Sequence, residues 1–153
     1  MRLDLRAPLF YERTDIIIAG QPNQKETDLP DKFKKEEEII LCFEINSKES
    51  RKIDPNTEQF IGSLVFAGIS RGQAASSAEN LADAVCLPKG DYLFVQQRSA
   101  AAEEACAGWL ELAIEQQKDG LWERNKLGDM LYVRFLFEDE AYVVQVFRTL
   151  FIV

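Results

Sequence analysis

The sequence predicts an α+β fold, an antiparallel sheet with its helices on one side. Three observations predict it. Strands of alternating or continuous apolar character recur through both halves of the chain. One strongly periodic helical stretch, 99–118, stands between strands of the second half. The two halves share a β-α-β-β outline, although no sequence repeat is visible between them.

Leu3-Asp4-Leu5-Arg6 reads as an edge segment and Asp15-Ile16-Ile17-Ile18-Ala19-Gly20 as a buried strand, with Pro8 interrupting between them. Residues 21–37 are polar and carry Pro22 and Pro30, which leaves room only for a short helix over 31–37. Strands follow at 39–45 and 60–69, separated by the turn-rich NSKESRKIDPNTEQ. Gly62 and Gly68 fall on the same face of the second strand as Leu64 and Phe66. Residues 72–83 are small and polar and join the halves.

The second half is clearer. Val85-Cys86-Leu87 leads into a turn at Pro88-Lys89-Gly90-Asp91, and 92–97 is the next strand. Ser99 suits a helix N-cap, with Glu103 and Glu104 near the positive end of the helix dipole. Ala102, Ala105, Cys106, Trp109, Leu110 and Ala113 then recur at helical spacing, and Gly120 is a stop signal. Two strands, 130–138 and 141–150, are joined by the short turn Asp139-Glu140. In LYVRFLFEDE, Leu131, Val133, Phe135 and Phe137 point toward a core. The other face carries Tyr132, Arg134, Leu136 and Glu138, and either lines a cleft or is simply wet.

With 153 residues the chain suits one domain, 1–153, able to bury a sizeable core. The formal net charge of −8 argues against direct nucleic-acid binding, because Lys32-Phe33-Lys34-Lys35 is cancelled at once by Glu36-Glu37-Glu38. Charges within Met1-Arg2-Leu3-Asp4-Leu5-Arg6 do not fit a signal peptide, and no segment is long enough to span a membrane. Cys42, Cys86 and Cys106 lie far apart with no CxxC pair, as expected for reduced core thiols in a cytoplasmic protein. There is no histidine, which excludes His-type zinc sites and Ser-His or Cys-His catalysis. No metal or cofactor is expected. Gly68-Ile69-Ser70-Arg71-Gly72 is no phosphate loop, since it lacks the lysine and a following helix start.

LPKGDYLFVQQ (87–97), the helix around Trp109 and FEDEAYVVQVFRTL (137–150) together resemble the GyrI-like small-molecule-binding domain. That module is the effector-binding part of many MerR- and AraC-type bacterial regulators of transcription. LDLRAPLFYERTDIIIAG, with its proline, looks like the opening strand of the same family. The resemblance implies a pseudo-twofold pair of β-α-β-β units, about 1–72 and about 83–153, with a ligand cleft between them. Because the first family strand begins almost at Met1, no helix-turn-helix is expected ahead of it, and the domain is read as stand-alone.

In relatives the cleft takes hydrophobic, cationic or aromatic compounds, with a buried glutamate on a late strand and several aromatic side chains. Glu138 best matches that glutamate, although a strand end beside Asp139 and Glu140 is equally a solvated place. Arg134 would hold Glu138, or an anionic group on a ligand. Tyr132, Tyr92 and Phe66 offer flat apolar surfaces or ordinary core packing, and Trp109 sits on the apolar face of its helix. The expected function is binding of a small hydrophobic compound, for sequestration or regulation. The alternatives are a hydrolase of a reactive electrophile using Glu138 and Tyr132, and a protein-binding module of the gyrase-inhibitor type.

Overall fold

Proline breaks two long extended segments, and both breaks shape the sheet. The computed structural model describes residues 2–14, 37–45, 63–71, 84–119 and 127–150. Pro8 separates β1 (Arg2–Leu5) from β2 (Leu9–Thr14), and Pro88 separates β5 (Ala84–Leu87) from β6 (Gly90–Ser99). The other strands are β3 (Glu37–Glu44), β4 (Ser63–Arg71), β7 (Leu127–Glu138) and β8 (Ala141–Leu150); helix α1 (Ala102–Asp119) lies between β6 and β7. All pairings are antiparallel, in one eight-stranded sheet of order β1-β6-β8-β7-β3-β4-β2-β5.

The two ends of this sheet belong to one ribbon. Leu3 pairs with Tyr92 in β1–β6, and Tyr11 pairs with Val85 in β2–β5, so the segment 2–14 runs alongside 84–93 across both kinks. The result is a curled half-barrel with its end strands tied together covalently. Gly68 shows how tight the curl is. A Cβ there would lie 2.7 Å from Val85 Cγ2, 2.8 Å from Tyr11 Cβ and 2.9 Å from Ile40 Cγ2. Only a residue without a side chain lets β5 and β2 fold over β3 and β4.

Each face of the sheet has its own core. Ile39, Leu41, Phe43, Leu131, Val133, Phe135, Val144 and Val146 pack with Ala105, Trp109, Leu112 and Ala113 of α1. The Trp109 ring stacks on Phe43, with centroids 5.4 Å apart and planes 12° from parallel. Burying each such side chain contributes roughly 1.5–3 kcal/mol, which is what anchors the helix to the sheet. The inner face carries a second cluster of Tyr11, Ile40, Cys42, Val85, Leu87, Tyr92, Phe94, Tyr132 and Phe147. Among the described residues no helix is long and apolar enough to cross a membrane.

Several expectations are corrected. The fold is strand-dominated, with α1 the one helix among the described residues, so a balanced α+β layering is not what is seen. Ser99 is the last residue of β6, paired with Tyr142, and is no N-cap; the first helical bond runs from Ala105 N to Ala101 O at 3.3 Å. Sheet pairing takes precedence there over local capping. Leu64 does not share a face with Phe66 and Gly68. The register slips between Cys42 and Phe43, leaving Val65 as an extra residue, 46% exposed, and Leu64 turns to the helix side. Glu37 opens β3 and is not helical; the rest of the short helix at 31–37, the strand at 15–20, Gly62 and Gly120 lie outside the described residues.

Candidate functional site

Alternation from Ile39 through Ile45 sends Ile39, Leu41 and Phe43 to the helix side and Ile40 and Cys42 inward. The same parity turns Glu38 inward, opposite the inward residues of β7. Arg134 of β7 reaches it. Arg134 Nη2 donates to Glu38 Oε1 and Oε2, each at 2.9 Å, and Nε donates to Oε2 at 3.2 Å. Tyr11 reaches in from β2, three places away from β7 in the sheet. Its hydroxyl donates to Glu38 Oε2 at 3.1 Å and accepts from Arg134 Nε at 3.1 Å. Arg134 Nη1 donates to Gln145 Oε1 at 3.1 Å, and Gln145 Nε2 donates to Gln96 Oε1 at 3.2 Å. Five side chains from five strands thus form one polar row.

Solvent reaches this row. The Arg134 side chain is 17% exposed and that of Glu38 28%, while Gln96 is exposed. Burial opposes the Arg134 charge, yet Tyr11 and Glu38 outweigh it and hold the guanidinium above its ordinary pKa. Burial likewise pushes the Tyr11 hydroxyl up, so it stays protonated.

Beside the row lies a wall of rings. Tyr92 meets Tyr132 edge-on at 6.1 Å and Phe147 at 5.6 Å, and Phe66 lies tilted against Tyr132 at 6.4 Å. These are favoured aromatic geometries, worth about 0.5–1.5 kcal/mol each beyond simple burial. The Tyr92 hydroxyl donates to the Pro88 carbonyl, which holds the kink between β5 and β6. Tyr132 lies opposite Cys42 across β7 and β3, and burial pushes the Cys42 thiol up to about 12. That thiol is protonated at neutral pH and is no nucleophile.

No protein-family model matches this sequence, and no curated protein matches it.

The residues singled out from sequence divide three ways. Tyr132, Tyr92, Phe66 and Arg134 share the inner face, which is neither bare nor simply wet: Tyr132 and Leu136 are buried there. Trp109 is on the helix side, part of the opposite core. Glu138 is exposed at the strand end, where its backbone carbonyl accepts from Arg98 Nη2 at 2.9 Å. Arg134 is paired with Glu38 rather than with Glu138. Glu38, Tyr11, Gln145 and Cys42 carry no signal in the sequence that marks them as site residues. Glu38 sits in a run of three glutamates that reads as solvated, and only the parity of the following strand points it inward. Among the described residues no group of three potential ligands could hold a metal ion.

Proposed function

We propose that this protein binds small, largely apolar organic compounds, aromatic ones above all, on the inner face of its curled sheet. It then sequesters them or signals their presence to a protein partner. One observation carries this reading: the curled inner face sets the half-buried ring of Phe66, backed by the buried Tyr132 and Tyr92, beside a solvent-reached network of Arg134, Glu38 and Tyr11. A few polar groups beside apolar walls is the ordinary make-up of a small-molecule site. The sparse cysteines and the net charge of −8 suit a cytoplasmic protein without a direct nucleic-acid role.

A stand-alone GyrI-like domain is the fold reading that goes with this function. In support, the strand order is unchanged on reversal when β1–β4 are exchanged with β5–β8, as two β-α-β-β units about a twofold would give. Each half also enters its first long strand through a proline followed by a buried inward tyrosine, Pro8 with Tyr11 and Pro88 with Tyr92.

The enzymatic alternative coupled Glu138 with Tyr132. Six residues along one strand is roughly 20 Å, too far for both to act on one bond. Titration with a rhodamine dye and with a neutral polycyclic probe, followed by fluorescence, tests the binding reading. Saturable binding is expected, weakened about tenfold by Phe66→Ala, which removes a half-buried ring from the wall. Failure of a chemically varied panel to saturate the protein sinks it.

A further inference from the structure

We propose that the inner face selects uncharged aromatic compounds bearing a carbonyl acceptor, an amide above all, over cationic or anionic compounds of the same shape. This rests on the binding function proposed above and names its ligand class.

The polar row is electroneutral and closed on itself. Glu38 accepts three bonds from Arg134 and one from Tyr11, so its charge is already matched. A cationic ligand approaching Glu38 meets the guanidinium 2.9 Å from the same oxygens. An anionic ligand approaching Arg134 meets the Glu38 carboxylate. A charge of either sign must leave water to sit beside a like charge in a site only partly open to solvent, and burial without a partner is penalised steeply. The other charged side chains that turn inward, Glu44, Glu138, Arg98 and Arg13 (6.0 Å over the Phe66 ring), are all exposed, where charge pairing in water is weak.

The row's spare capacity is of another kind. Nη1 of Arg134 has two hydrogens and uses one, on Gln145. The Gln145 amide has two and uses one, on Gln96. Among the described residues both leftover donors are without a partner, and Arg134 and Gln145 are adjacent across β7 and β8. One carbonyl oxygen has two lone pairs, enough to accept from both. An amide adds an N–H for the free acceptor positions on Gln145 and Gln96. The rings of Tyr132 and Phe147, paired directly across the same two strands one step along the face, are buried, so the half-buried ring of Phe66 beside Tyr132 is the surface left for the aromatic body.

Isothermal titration of the intact protein with naphthamide, naphthoate and naphthylmethylammonium tests this directly. The three share one ring system and differ in charge. Naphthamide should bind about tenfold tighter than either ion, or about 1.4 kcal/mol. Glu38→Gln leaves the row net positive and should promote naphthoate to the tightest of the three. Gln145→Glu makes it net negative and should promote naphthylmethylammonium. Circular dichroism reports folding, and either variant suffices if the other does not fold. Equal binding of all three, or a charged compound binding tightest in the unaltered protein, overturns the ligand class while leaving the binding function standing. An unchanged order in the folded variants also overturns it. Saturation by none of the three, together with failure of the dye panel, removes both.

Discussion

Arg134 shows how one residue can look functional for the wrong reason. Its interest in the sequence lay in sharing a face with Glu138, yet its partner is Glu38, on a strand 96 residues away in the chain. Arg134→Met removes three of the bonds that the partly buried Glu38 carboxylate accepts and leaves it only the Tyr11 hydroxyl as donor. We expect a loss of roughly 1–3 kcal/mol in urea unfolding, with Glu38→Gln costing less because its amide still offers an acceptor. Burial also sets the alkaline limit of stability. The Cys42 thiol is pushed from its ordinary value of 9.0 up to about 12, and the Tyr92 hydroxyl from 10.0 up to about 12. The folded state therefore holds these protons more tightly than the unfolded chain. Their contribution is complete below pH 9, begins to fall there as the unfolded thiol ionises, falls faster above pH 10, and is lost toward pH 12. Urea midpoints measured from pH 8 upward should follow that course, and Cys42→Ala should shrink the fall between pH 9 and 10, the remainder belonging to the Cys86 thiol, which burial also pushes up.

At the scale of elements, turns and close approaches carry the sharpest predictions. Asp139 and Glu140 both adopt positive φ, 51° and 63°, which makes the β7–β8 hairpin turn type I′. Aspartate tolerates that region better than glutamate does. Glu140→Gly should therefore raise stability by about 1 kcal/mol in thermal unfolding. Gly68→Ala should lower it by ~1–3 kcal/mol, since Val85, Tyr11 and Ile40 surround the new methyl and two of those contacts are with β-branched side chains. The hairpin was readable from alternation on both sides of an acidic pair. The tight place at Gly68 was not, because its three neighbours come from three other strands. The bulge at Val65 was hidden for a similar reason: an extra residue shifts parity without leaving a mark in composition.

Across the whole molecule, local signals were legible and the closure of the sheet was not. The helix through Trp109 and the strands flanking it follow from periodicity within windows of ten or twenty residues. The pairing of β1 with β6 depends on residues about 90 positions apart, and no local pattern announces it. The inner face was half legible for the same reason. Tyr132, Arg134, Tyr92 and Phe66 lie in readable strands, but Tyr11 and Glu38 matter only once the curl brings β2 and β3 against β7. Removal of β1 tests the closure. Without it, β6 becomes an open edge and Leu3 and Leu5 no longer cover Tyr92 and its neighbours. The shortened protein should melt earlier and associate in light scattering at concentrations where the full chain does not.

The ribbon that ties the sheet's ends together also sets an order of events during synthesis. Leu3 pairs with Tyr92, so β1 leaves the ribosome well before its partner strand. At 5–20 residues per second, the 88 residues between them take roughly 5–20 s to be made. Contacts of such long range also slow spontaneous folding, because loop closure precedes any gain from pairing. The β7–β8 hairpin needs no such wait, since its two strands are near in sequence. Pulse-labelled hydrogen exchange during refolding should therefore find amides of β7 and β8 protected before those of β1, whose pairing with β6 closes the sheet at that edge.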